Sequence, residues 1–339
     1  MRLDGLLTVP IIGAPMAGGP TTAPLAAAVS EAGGLGFLAA GYKTAAAVAD
    51  ELAAVRALTT RPVGLNLFFP ARAAVDEAAI ERYARALEPE EERYGVRCGE
   101  AVWSDDDWEA KLALVARERP AVVSFTFGCP GREVVLGLVD LGIAVWATVT
   151  SVDEARQAVA SGVSALVVQG GEAGGHQGSS ADHDGEPLPL LALLREVRRV
   201  TDLPVIAAGG IAGPERLADV LAAGAFAGQI GTALLLAPEA GTSEPQRRAL
   251  RGDEPTRLTR AFSGRRARGI VNRFMRDHDA EAPTGYPEVH YLTAPLRARA
   301  RELNDPDGIN LWAGVNYRKA GEAPAGELVE RWAARLARL

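Results

Sequence analysis

The stretch Gln169-Gly170-Gly171-Glu172-Ala173-Gly174-Gly175-His176 places a carboxamide, a carboxylate and an imidazole in glycine-rich chain directly after an apolar run. An imidazole near its ordinary pKa can take or give a proton at neutral pH. His176 is therefore a candidate catalytic or substrate-binding group, against the plainer reading of a structural histidine. His183 lies in the same loop, whereas His278 and His290 have no such setting.

Two later apolar runs end in Ala207-Ala208-Gly209-Gly210-Ile211 and Gln229-Ile230-Gly231-Thr232. Glycine lets backbone N–H groups approach an anion without a Cβ in the way, and helix N-termini favour negative charge. Two such loops in one chain point to a phosphate site; the alternative is that they only turn the chain. Asn66, inside Gly64-Leu-Asn-Leu-Phe-Phe69, and Gln169 are amides in apolar surroundings, where a buried amide must find a partner. They serve either the structure or a flat heteroaromatic ring. Small residues in Ala14-Pro15-Met16-Ala17-Gly18-Gly19 would let such a ring lie close to backbone.

Other motifs are silent. There is no Gly-x-Gly-x-x-Gly after a strand, no Walker loop and no His-Glu-x-x-His. The basic run Ser263-Gly-Arg-Arg-Ala-Arg268 is a solvated face or a contact for a ligand's phosphate or carboxylate. Cys129, beside Gly128 and Pro130, has no evident histidine partner for nucleophilic chemistry. With Cys98 it makes neither a disulfide framework nor a metal-type spacing, which suits a reducing compartment.

The elements that must hold these residues come in a regular series. Short, continuous apolar runs occupy Pro10–Met16, Leu35–Ala40, Val63–Phe69, Val122–Gly128, Ala144–Val149, Ala165–Gly170, Pro204–Gly210 and Gly228–Leu236. Continuous runs of that length suit strands buried on both faces of a parallel sheet. Alanine-rich helical stretches separate them. Ser151-Val-Asp-Glu154 reads as a capping box, Gly162 as its helix stop, and Pro214 with Gly224 as another start and stop. Eight parallel β/α units predict a (β/α)8 TIM barrel, with a doubly wound open sheet as the competing architecture, and the active site at the C-terminal strand ends. The barrel is expected over residues 1–236, with a long helical insertion at about 71–120 that includes Glu88–Arg93 and Trp103–Arg119. Residues 237–339 are expected to form a helical lid and a C-terminal helix, Glu327–Leu339.

Composition agrees. Of 339 residues, 48% are hydrophobic and 23% charged, which excludes wholesale disorder. The 37 glycines follow no triplet period, so collagen is excluded. A net charge of −7 lacks the basic footprint of a nucleic-acid binder. No secretory leader and no bilayer-length apolar run are evident, so the expectation is a cytoplasmic enzyme, monomer or homodimer, without nucleic-acid or membrane partners.

Together these residues resemble the nitronate monooxygenase family, formerly 2-nitropropane dioxygenases, and its bacterial class I in particular. Pro10-Ile-Ile-Gly-Ala-Pro-Met-Ala-Gly-Gly19 with Glu31-Ala-Gly-Gly-Leu-Gly36 is similar to the N-terminal motif, and Ser124-Phe-Thr-Phe-Gly128 to the second. Gln169–His176 is similar to the third, the two later glycine loops to the phosphate loops, and Thr259–Arg265 continues the likeness. The resemblance implies non-covalent FMN in a β/α barrel. Ala14, Pro15 and Met16 would line its ring; Asn66, Gln169, Gly174 and Gly175 would contact the flavin; Gly209, Gly210, Gln229, Gly231 and Thr232 would meet its phosphate end. It also implies oxidation of alkyl nitronates by O2 to a carbonyl compound and nitrite. His176 would either bind the anionic nitronate, as a cation, or act as base on a neutral nitroalkane. The chain departs from the pattern at Gly13, where the family often has Gln, and at Val315 in Ala313-Gly314-Val315, where it often has Gln. The alternatives are an FMN-dependent enoyl-acyl-carrier-protein reductase, a flavin-binding accessory protein without turnover, and a sugar-phosphate barrel enzyme without flavin.

Overall fold

The computed structural model describes Leu3 and residues 5–339. Each of the eight apolar runs holds a strand, most of them shorter than the run; the fifth matches its run, and the last begins one residue earlier and covers only its first part. The strands are β1 (Ile11–Gly13), β2 (Gly36–Ala39), β3 (Val63–Phe68), β4 (Val122–Thr126), β5 (Ala144–Val149), β6 (Ala165–Gln169), β8 (Val205–Ala208) and β9 (Ala227–Ile230). All pair in parallel, in the order β1-β9-β8-β6-β5-β4-β3-β2. The two ends of this sheet meet through an Ile12–Leu35 bridge, where Gly13 N donates to Leu35 O at 2.9 Å and Leu35 N to Ile11 O at 3.1 Å. The sheet thus closes into a barrel and is not open.

The continuous runs are explained by their two buried faces. Ile11, Leu38, Leu65, Val123, Val145 and Leu166 pack outward against the helices, while Ile12, Phe37, Trp146, Val167 and Ile206 fill the interior. Helices α1 (Ala23–Glu31), α2 (Ala45–Leu58), α5 (Trp108–Glu118), α6 (Arg132–Asp140), α7 (Val152–Ser161), α8 (Leu190–Arg198) and α9 (Pro214–Ala222) follow successive strands. The Ser151 side chain caps α7 by accepting from Glu154 N at 3.2 Å, but Glu154 reaches back to Thr150 N, one residue before the expected box partner.

The insertion after β3 holds α3 (Glu77–Ala86) and α4 (Glu88–Tyr94) before α5 begins. The expected helix from Trp103 starts only at Trp108, because Asp106 and Asp107 both take positive φ. After β9 come α10 (Glu244–Leu250), β10 (Thr256–Thr259), β11 (Ala267–Ile270), α11 (Arg273–His278), α12 (Glu288–Glu302) and α13 (Ala325–Leu336). The segment after Leu236, expected to be helical, thus also contains two strands. β10 and β11 form an antiparallel sheet with β7 (Gly175–His176), in the order β10-β11-β7. Four-residue strands rich in Arg, Thr and Gly carry too little apolar alternation to announce themselves. α13 lies against α1 and α9, with Ala325, Leu328 and Val329 in the barrel core, so the chain end fills the helical place after β9.

One ion cluster pins the insertion to this later segment. Glu90, 2% exposed on α4, is bound by both terminal nitrogens of Arg273, one at 2.7 Å, and by His278 Nε2 at 3.3 Å. Burial pushes its carboxyl up, but the hydrogen bonds from His278 and Arg273 and the Arg273 charge outweigh that and lower it to about 2. A depressed carboxyl contributes stability above its unfolded-state range and loses it as pH falls toward the folded value. Glu90→Ala is expected to destabilise the fold by about 3 kcal/mol, the low end for a broken buried pair, since Arg273 is partly exposed and keeps only Asp277 as an anionic partner. Thermal unfolding would measure this, and the wild type should lose the difference between pH 4.5 and 2.

Candidate active site

The strand interior changes character toward its C-terminal end. Counting by two from the buried Trp146 and Val167 leads to Thr148 and Gln169; the same register leads to Asn66, Ser124, Thr126 and Gln229. These polar side chains floor a cavity of about 440 Å³ at the C-terminal mouth. Ala14, Pro15, Met16, Asn66 and Gln169 line it, as do Gly174, Gly175 and His176. So do Gly209, Gly210, Gln229, Gly231 and Thr232 on the other side. His183, His278, Cys98 and Cys129 lie outside it. Burial pushes the Cys98 and Cys129 thiols up, to about 12 and about 11, which removes both as thiolate nucleophiles.

The glycine loops are shaped by their surroundings. Gly210 has φ +67°, and a Cβ there would come within 2.9 Å of Glu172 Cβ. The N–H groups of Gly210, Gly231 and Thr232 donate to no protein acceptor among the described residues. At Gly174 a Cβ would meet the Ala313 and Gly314 backbone at 2.5 Å.

His176 is held by strand pairing, not by a free loop: Ala267 of β11 faces it in β7. Gln169 uses both ends of its amide on that segment, with Nε2 donating to His176 O at 3.1 Å and Oε1 accepting from Gly178 N at 2.7 Å. The Asn66 amide nitrogen is committed to β4, donating to Ser124 Oγ at 2.9 Å and Thr126 Oγ1 at 3.0 Å. His176 Nε2 lies 2.8 Å from Ser263 Oγ, which donates to Arg265 O at 3.2 Å. With the serine proton so used, the imidazole donates from Nε2 and carries its lone pair on Nδ1.

The rings of Phe127, Tyr286 and Trp312 surround the His176 ring at centroid distances of 5.6–5.7 Å. The ring borders the cavity, yet protein crowds it on most sides. That burial, with the charges of Arg265 and Arg297, lowers its pKa to about 3. His176 is thus a neutral imidazole at neutral pH. His290, which also lines the cavity and stacks on Tyr42 at 4.0 Å, is lowered by burial and by Arg297 to about 2. Burial pushes the phenols of Tyr42 and Tyr286 upward, so they too are neutral.

Several lining residues have no role assigned by the sequence: Ser124 and Thr126 stand only within the second motif, Thr148 is unmarked, His290 has no setting that singles it out, and Arg297 and Trp312 of the later segment are unmarked. The first three are legible by strand periodicity. The others lie more than 110 residues from His176, and no local pattern links them to it. Of the basic run, Ser263 reaches the cavity, while Arg266 and Arg268 bind backbone carbonyls of the His183 and Gly171 loops. Gly13 and Val315, where the family pattern departs, do not line the cavity.

This geometry meets a consistent set of relatives. The family model for nitronate monooxygenase matches residues 1–334. A nitronate monooxygenase from Paraburkholderia phytofirmans is 39% identical over 330 residues, covering 94% of this chain and 90% of the relative. A probable nitronate monooxygenase from Staphylococcus aureus is 34% identical over 345 residues, covering 97% and 95%. The crystal structure of nitroalkane oxidase from Streptomyces ansochromogenes matches with a TM-score of 0.97 and 48% identity, covering 99% of this chain and 98% of that one. No helix among the described residues is long and apolar enough to cross a membrane. A closed β/α barrel whose mouth gathers these motifs into one cavity, matched end to end by these relatives, makes the chain an oxidoreductase that belongs to the nitronate monooxygenase family.

Proposed function

We propose that this enzyme holds FMN in the barrel mouth and oxidises alkyl nitronates with O2 to a carbonyl compound and nitrite. The fit to FMN rests on the unpartnered N–H groups of Gly210, Gly231 and Thr232, which would take the phosphate, and on the small-residue wall of Ala14 to Met16, which would lie along the ring. FMN supplies the electron chemistry when bound. The protein binds, orients and shields the substrate.

The observation that carries the reading is the crowding of the His176 ring by Phe127, Tyr286 and Trp312 at 5.6–5.7 Å, which disfavours the imidazolium. A neutral imidazole is in the form that accepts a proton, but one held to about 3 is a poor base for a carbon acid, because efficient bases lie near the operating pH. Already ionised nitronates need no such base. A neutral His176 does not supply the cationic contact that the resemblance implies, and its Nδ1 lone pair cannot bind a nitronate oxygen; it walls the substrate space, while Ser263 and Gln169 fix the ring and its backbone and donors elsewhere in the cavity must hold the anion. The name of the Streptomyces relative, a nitroalkane oxidase, favours a second reading in which neutral nitroalkanes also react.

A visible spectrum followed by oxygen uptake separates these. The purified protein is expected to show bound flavin and to turn over propionate 3-nitronate with a kcat/KM at least about 10²-fold above that for a neutral nitroalkane, the rate normally owed to a well-matched base. Equal values would support the nitroalkane reading. Rapid bleaching by NADH without oxygen would support the enoyl reductase, and a colourless protein that does not take up FMN would overturn the proposal.

A further inference from the structure

The cavity contains a positive charge that neither the phosphate loops nor His176 supplies. Arg297, on α12, is 8% exposed and lines the cavity. Its Nε donates to Thr293 Oγ1 at 3.0 Å, Nη1 to Asn310 Oδ1 at 3.3 Å, and Nη2 to His290 O at 2.7 Å and His290 Nδ1 at 3.3 Å. These acceptors are all uncharged. A guanidinium has five N–H donors, so one on Nη1 remains without a protein acceptor. No carboxylate pairs with Arg297 among the described residues, although buried arginines ordinarily find one.

Arg301 repeats the pattern one turn later. It lines the same cavity, is exposed, and forms no ion pair among the described residues. Like charges at i and i+4 on a helix repel. That repulsion is small at the exposed Arg301, so it is the buried Arg297 that calls for an anion. The remaining buried cation near His176, Arg265, differs: it donates to the carbonyl of Ser179, stacks 4.2 Å from the Phe127 ring and does not line the cavity.

We infer that Arg297, with Arg301 beside it, is the anion subsite of the cavity and holds the negatively charged oxygens of an organic oxyanion of the nitronate type. The free Nη1 donor makes the direct contact. Neutral His290 and Thr293 hold the guanidinium in place. This assignment rests on the nitronate reading for the substrate's identity, but the charge and the cavity stand apart from it. The same chemistry would serve the FMN phosphate, and the test separates the two sources.

The experiment uses FMN-loaded protein and nitrate, a flat oxyanion that binds without turnover, followed by calorimetry. Arg297→Met is expected to weaken nitrate about 10- to 100-fold, the range for a hydrogen bond to a charged group. Arg301→Gln should weaken it several-fold. In turnover, Arg297→Met should raise KM for ethyl nitronate and leave KM for neutral nitroethane unchanged. Wild-type protein that binds nitrate through Arg297 but turns over no nitronate would keep this inference and remove the proposed function. Undiminished nitrate binding by Arg297→Met overturns the inference, as does a loss confined to FMN affinity, which would assign the arginine to the phosphate. If Arg297→Met does not fold, unchanged nitrate affinity in Arg301→Gln overturns it.

Discussion

His176→Asn is expected to leave FMN bound, to lower kcat/KM for a nitronate about 10-fold or less, and to lower it about 10-fold further for a neutral nitroalkane, because a base held to about 3 contributes well below the usual ~10²–10⁴-fold. Asparagine keeps a polar group at the Nδ1 position and leaves only a small gap among Phe127, Tyr286 and Trp312. Its amide overlies Nδ1 and stops short of the Nε2 that meets Ser263, so that contact is lost, but the β7–β11 pairing is made by main chain and should survive. What it lacks is a basic nitrogen. An anionic substrate loses only the fit of the ring beside it, whereas a neutral carbon acid loses a weak proton acceptor as well. Steady-state oxygen uptake with ethyl nitronate and with nitroethane measures both. The pH profile adds an independent check: with a pKa of about 3, the His176 limb lies below the usual histidine range. The neutral, proton-accepting form persists as pH falls to that value, so wild-type nitroethane turnover should show no histidine limb between pH 5.5 and 8. Equal losses on both substrates, or a wild-type limb near 6.5 that the variant removes, would defeat the account of a neutral imidazole.

The sequence carried the barrel because parallel strands buried on both faces read as uninterrupted apolar runs between helix caps. Ile11 to Ile230 follow that rule strand by strand. The glycine loops were legible for a related reason. Gly210 and Gly174 stand where a Cβ would strike Glu172 or the Ala313–Gly314 backbone, and such sites cluster at strand ends. Thr148, Ser124 and Thr126 were equally available, two residues beyond interior positions, but a single hydroxyl in a strand is a weak mark until its register is known. The later segment was not legible in this way. β11 exists because it pairs with Gly175 and His176, and Arg297 matters because α12 brings it to the same mouth. Both depend on contacts across 90 residues or more. The charge state of His176 was hidden for the same reason, since its aromatic cage is assembled from the residue after β4, the loop before α12, and the chain after it.

Gly210→Val is expected to raise the dissociation constant for FMN about 10- to 100-fold while the barrel still folds. Gly210 has φ +67°, which a β-branched residue adopts at a cost of about 1–3 kcal/mol. The new Cβ would also lie 2.9 Å from Glu172 Cβ, and Glu172 has little room to withdraw. Its Oε2 accepts from Leu190 N at 2.8 Å, and its other oxygen faces Arg216 at 3.5 Å. The loop must therefore move, and it is tied on its far side by Asn316, whose Nδ2 donates to Gly210 O at 2.8 Å. Moving it misaligns the free N–H groups that would take the phosphate. A strain of this size, transferred to the bound state, corresponds to the stated loss, since about 1.4 kcal/mol is tenfold in affinity. Flavin fluorescence titration of the apoprotein measures the constant, and circular dichroism checks the fold. Gly137→Ala serves as the control: this glycine lies within α6, its Cβ would meet nothing within 4 Å, and flavin affinity should not change. An unchanged constant in Gly210→Val would place the phosphate away from the β8 loop and leave the fit of FMN to this mouth without its main support.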